Sequence, residues 1–167
     1  MAPLREDLIH VAIRKFLVKN RWTLLAGQYP DGSDDELPCL NVMDPTLACD
    51  NSPDARRHSK NKLVPDLVAY RIPFCAFIEM KPTYSQSDES KLEELLVTRK
   101  RDTLTALDVL FARRETARQH DVGQLVLVPC LGFSSTAVFS KKSDFCYFLV
   151  DENRQVTFVG NTLLRGL

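Results

Sequence analysis

The sequence predicts one mixed α/β (α+β) domain: a mixed central sheet flanked by helices and closed by a C-terminal β-hairpin. Three observations predict it. An amphipathic helical stripe opens the chain. Short apolar runs of strand length follow, interrupted by one long helical stripe. The chain then closes on two apolar runs around a polar four-residue turn.

Residues 4–19 (LREDLIHVAIRKFLVK) place Ile9, Ile13, Phe16 and Leu17 on one helical stripe, which opens near Pro3, a residue tolerated in a first turn. Glu6 lies three residues before Ile9 and seven before Ile13, so it extends that stripe. It reads equally as an acid complementing the helix N-terminus. Residues 22–26 (WTLLA) form the first strand. Residues 27–62 are rich in Asp, Asn, Pro and Ser and exceed an ordinary connection, so they read as a flexible flap holding a short strand at 37–43. Two strands follow, 63–70 (LVPDLVAY) and 74–80 (FCAFIEM), with a turn favoured at Ile72-Pro73.

Beyond a loop at 82–88, a helix runs from Ser90 to about His120 with Leu92, Leu95, Leu96, Leu104, Leu107, Leu110 and Phe111 on its stripe. Arg99 interrupts that stripe at i+7 from Leu92; it either snorkels to the surface or needs an acidic or phosphate partner. The apolar run 123–130 belongs in the middle of the sheet. Residues 145–150 and 155–159 pair around Asp151-Glu152-Asn153-Arg154.

A chain of 167 residues with 44% hydrophobic and 26% charged residues suits a single domain, 1–167, with 27–62 as an insertion. No apolar run approaches the roughly 20 residues of a membrane span, and the N-terminus lacks an apolar signal core; a cytoplasmic protein is expected. Five cysteines (39, 49, 75, 130 and 146) without a CxxC pair fit reduced thiols, and three scattered histidines argue against a zinc site. Net charge is zero, which argues against nucleic-acid binding over the whole surface. Residues 31–54 nevertheless hold seven acids and no bases, and 55–62 hold four bases and no acids.

The chemistry lies in charges set inside the apolar strands. Asp66 sits in the first, and Glu79 and Lys81 end the second. Side chains alternate along a strand, so Glu79 and Lys81 share a face while Met80 points to the other. A hairpin brings Asp66 beside Glu79. Charge buried in this way is costly unless paired or bound to a metal. Plain ion pairs at a sheet edge are the simpler alternative.

Pro65-Asp66, Glu79 and Lys81 together resemble the motif of the PD-(D/E)xK nuclease superfamily. The predicted order αβββαβ is the core of its restriction endonuclease-like fold, so the likeness spans most of the chain. Within that superfamily, residues 16–22 (FLVKNRW), 75–81 (CAFIEMK) and 148–159 (FLVDENRQVTFV) look like the XisH-type excision-controlling factors. The flap is longer than in that family, and Arg99 stands near where its helix carries a Gln.

The resemblance implies a Mg²⁺-dependent nuclease hydrolysing DNA phosphodiester bonds, with Mn²⁺ as a substitute ion. Asp66 and Glu79 would be metal ligands, with the Met80 carbonyl as a third oxygen. Lys81 would orient the attacking water or steady developing charge, its pKa depressed by the nearby cation. Glu6 is a candidate outer ligand, and Arg99 a contact to the scissile phosphate. Arg56, Arg57, Lys60 and Lys62 either track the nucleic-acid backbone or form a solvated loop. The expected partner is nucleic acid, DNA ahead of RNA, with a homodimer where both strands are cut and no membrane association. Two other readings stay open: a non-catalytic DNA-binding or recombination accessory of nuclease fold, and a structural interaction module.

Overall fold

A computed structural model describes residues 2–30, 37–43, 62–113 and 121–160. Helix α1 spans Glu6–Lys19 and buries Ile9, Ala12, Ile13 and Leu17. It ends in a Schellman-type cap: Arg21 N–H reaches the Val18 carbonyl and Trp22 N–H the Leu17 carbonyl. Arg21 takes the left-handed conformation (φ 62°) in this cap. Trp22 is thereby folded back beside Leu17, and both join the core on that side of the sheet.

The strands are β1 (Thr23–Gly27), β2 (Val42–Met43), β3 (Lys62–Leu63), β4 (Leu67–Arg71), β5 (Phe74–Met80), β6 (Val126–Ser134), β7 (Cys146–Val150) and β8 (Val156–Val159). Six of them make one mixed sheet in the order β1-β4-β5-β6-β7-β8. The β5–β6 and β6–β7 pairs are parallel and the others antiparallel. The apolar run around 123–130 does become a central strand, β6, extended to Ser134. The C-terminal hairpin forms as expected, and the β4–β5 hairpin turns at Ile72-Pro73.

Helices cover both faces. Helix α1 packs with Leu67, Ala69, Ala76, Ile78 and Met80 on one side. Helices α2 (Gln86–Glu93) and α3 (Lys100–Arg113) cover the other, over Val68, Tyr70, Cys75 and Phe77. Period-2 alternation along β4 and β5 thus feeds two separate cores.

Three elements differ from the sequence expectation, and the first is the strand expected at 37–43, which shortens to Val42–Met43. The strand expected at 63–70 divides: Lys62–Leu63 pairs with Val42–Met43 in a two-stranded sheet, and the main-sheet strand starts only at Leu67. Pro65 has no N–H for a ladder, and the Asp66 carbonyl instead accepts Gln28 N–H beyond the end of β1 at 2.8 Å. The long helix starts earlier, at Gln86, because Ser85 caps it by accepting Asp88 N–H. It is also broken, since residues Glu94–Thr98 form a π-turn in which Arg99 N–H reaches back to the Glu94 carbonyl. The inserted residue rotates the apolar stripe, and buried Thr103 fills the gap by donating its hydroxyl to the Leu95 carbonyl at 2.8 Å.

The flap between 31–36 and 44–61, the helix expected over 114–120, and Cys49 lie outside the described residues. Cys39, Cys75, Cys130 and Cys146 are thiols. Among the described residues, no helix is long and apolar enough to cross a membrane.

Candidate metal-binding cleft

A cleft of about 620 Å³ opens at the C-terminal end of β5, where β4 begins and the N-termini of α1 and α2 approach; Glu6, Tyr29, Asp66, Lys81, Lys91 and Glu94 are among its lining residues. Asp66 stands at its floor. The β4–β5 register pairs Leu67 with Ile78, which sets Asp66 next to the end of β5. Its Oδ2 accepts the Met80 N–H at 2.8 Å, so the backbone of the second strand holds the carboxylate of the first. Burial pushes the Asp66 carboxyl above its usual range, while the Met80 bond and the ammonium groups of Lys91 and Lys81 oppose that.

Glu79 and Lys81 have different partners. Glu79 faces the α2 side and is only 2% exposed. Lys91 of α2 donates to its Oε2 at 2.8 Å and stands equally close to Oε1. Burial and the neighbouring Asp66 charge nevertheless push Glu79 up to about 8. Lys81 lies one residue past the strand and bonds to Glu6 Oε1 of α1 at 2.8 Å. The β6 pairing continues at Lys81, whose N–H donates to the Gly132 carbonyl at 2.9 Å, and its side chain lines the cleft together with Lys91. Burial works against the Lys81 charge but is outweighed by Glu6 and Asp66, so its pKa is raised.

Glu6 therefore lines the cleft and bonds Lys81 from the first turn of α1. Arg99 bonds to Glu94, itself a lining residue, through Nε at 2.9 Å. Met80 is fully buried, with its side chain in the α1-side core. Arg56, Arg57 and Lys60 lie outside the described residues, and Lys62 is described only as backbone of β3.

The sequence reading missed His10. It falls one helical turn after Glu6, so both project from the same face of α1 toward the end of β5. His10 is fully buried, and neither ring nitrogen has a hydrogen-bond partner. Nε2 lies 3.9 Å from Asp66 Oδ2. Burial and the nearby Arg14 charge lower its pKa to about 4, so the imidazole is neutral and keeps a lone pair. The Glu-x-x-x-His spacing was the available signal; counting the histidines only as three scattered residues concealed it. Ligand atoms of Glu6, His10 and Asp66 all lie within 4.8 Å of one another, and Glu79 does not join that group.

Buried Glu89, by contrast, is fully provided for. It receives the Tyr84 hydroxyl at 2.8 Å and the Gln86 amide at 3.0 Å, and pairs with Lys142. Its geometry describes a structural tie between α2 and the segment before β7. The unpartnered ring nitrogens of His10 set the cleft apart from it.

No protein-family model, curated protein or solved structure matches this chain.

Proposed function

We propose that the protein is a metal-dependent nuclease of the PD-(D/E)xK type, acting on DNA ahead of RNA. The carrying observation is the convergence of Asp66, Glu6, Lys81 and Lys91 on one open cleft at the end of β5, with Glu79 buried behind it. The strand and helix order α1-β1-β4-β5-α2-β6 supports the restriction endonuclease-like αβββαβ core, with β2–β3 as an addition.

The donors suit a divalent cation: two carboxylates that line the cleft meet a neutral imidazole buried beside them, and neither ring nitrogen has a hydrogen-bond partner. A bound cation would polarise a phosphate oxygen and lower the pKa of a coordinated water, and Mg²⁺ and Mn²⁺ both serve in that role. Asp66 holds its place through Met80 N–H and presents its carboxylate as a ligand. Lys81 projects into the same cleft and has the reach to steady negative charge on a phosphate or to orient the attacking water. Glu6 keeps Lys81 protonated and positioned until substrate arrives.

The experiment is incubation with duplex, branched and single-stranded DNA and with RNA, each with Mg²⁺, Mn²⁺ or EDTA. Cleavage should require the metal and nearly vanish in Asp66→Asn. Lys81→Ala should lose cleavage while keeping metal binding, since ligand and charge stabiliser fail differently. An Asp66→Asn protein that cuts like its parent would refute the catalytic assignment. The non-catalytic DNA-binding accessory is the second reading, favoured by the Lys91 ammonium that already occupies Glu79 at 2.8 Å. Binding without cleavage under every metal condition would select it.

A further inference from the structure

We propose that Glu6, His10 and Asp66 bind a divalent transition-metal ion of the Mn²⁺ kind in preference to Mg²⁺, with His10 as a nitrogen ligand. The proposal deepens the nuclease reading by naming the cation, but its chemistry rests on these three residues alone.

Two independent observations carry it. The donor atoms of the three side chains lie within 4.8 Å of one another. Ligands on one ion at about 2.1–2.3 Å stand roughly 3 Å apart, so small side-chain rotations close the set. Separately, His10 is fully buried with both nitrogens unpartnered, a costly state for a polar ring that a metal bond would relieve. Arg14 and Tyr29 surround the site without satisfying His10: the Tyr29 ring is 6.1 Å away, centroid to centroid, and the Arg14 guanidinium stacks 4.1 Å over that ring.

The donor set then selects the ion. Mg²⁺ demands oxygen ligands in a near-ideal octahedron, whereas the first-row transition ions, of which Mn²⁺ is the hardest and the weakest binder, accept an imidazole nitrogen beside carboxylates. Lys81 occupies Glu6 Oε1, and a carboxylate has a second oxygen to offer. Glu79 takes no part, because Lys91 already supplies its countercharge.

The test is calorimetric titration of the metal-free full chain with Mn²⁺ and with Mg²⁺, alongside pulsed electron paramagnetic resonance of the Mn²⁺ complex. One Mn²⁺ should bind at least tenfold more tightly than Mg²⁺, and the resonance should show ¹⁴N coupling from a directly bound imidazole. His10→Gln should bring the Mn²⁺ and Mg²⁺ affinities together, and Glu79→Gln should leave their ratio unchanged. The resonance needs no variant, so a His10→Gln protein that fails to fold does not weaken the test. Equal affinities, absent ¹⁴N coupling or no Mn²⁺ binding would each overturn the proposal. Tight Mn²⁺ binding with no cleavage would leave this site standing and remove the nuclease reading. Cleavage with Mg²⁺ and no ¹⁴N coupling would do the reverse.

Discussion

Replacing Lys91 with Met removes the ammonium that faces Glu79 and keeps an apolar stem of similar length. Glu79 rises from 4.5 in the unfolded chain to about 8 in the fold, through burial first and the Asp66 charge second. The folded state therefore holds an extra proton between those values, and stability declines across that window by about 1.4 kcal/mol per pH unit. In the parent the decline stops near pH 8, where Glu79 ionises against Lys91 at 2.8 Å. Without Lys91 the acid stays protonated further up, and the decline continues. Lys91→Met should thus match its parent at pH 6 and fall behind by on the order of 1–2 kcal/mol at pH 9. This is less than the roughly 3–5 kcal/mol of a broken buried pair that cannot neutralise itself. Urea denaturation in EDTA at pH 6, 7, 8 and 9 measures it, and adding Glu79→Gln should remove the extra pH dependence. Equal deficits at pH 6 and pH 9 would show that Lys91 stabilises only through its stem, and the account of Glu79 would fail.

Other expectations test the fold and its surface. A Cβ at Gly132 would run into Ile13 Cδ1 and approach Met80 Cγ to 3.1 Å, so Gly132→Ala should push α1 off β6 and cost about 1–3 kcal/mol in chemical denaturation. Thr103→Val deprives the Leu95 carbonyl of its donor at the π-turn and should cost about 1–3 kcal/mol, while Thr103→Ser should cost less. If the basic run meets DNA, neutralising Arg56, Arg57, Lys60 and Lys62 should lower the log–log salt slope of binding by about one for each phosphate that loses its cation. An unchanged slope would assign the run to solvent.

Local pattern determined much of this protein by itself. The α1 stripe, the apolar runs of β5 and β6, and the C-terminal hairpin follow from spacing of three to four or of two and from turn residues, all short-range properties. Asp66, Glu79 and Lys81 stood out for the same reason, as charges where neighbours are apolar. Their partners were not legible, because partners are set by approach across the sheet. Only the tertiary structure turned Lys81 toward Glu6 on one flank and gave Glu79 to Lys91 on the other. Only packing made His10 notable, since a histidine in an apolar stripe becomes informative once both nitrogens are seen to be buried and unpaired. The division of the 63–70 strand belongs here too: its apolar residues fit one strand, and the approach of Val42–Met43 gave Lys62–Leu63 a separate partner. Sequence spacing specifies which face a residue occupies on its own element. Which charge it meets there depends on where other elements end, and that is a property of the whole fold.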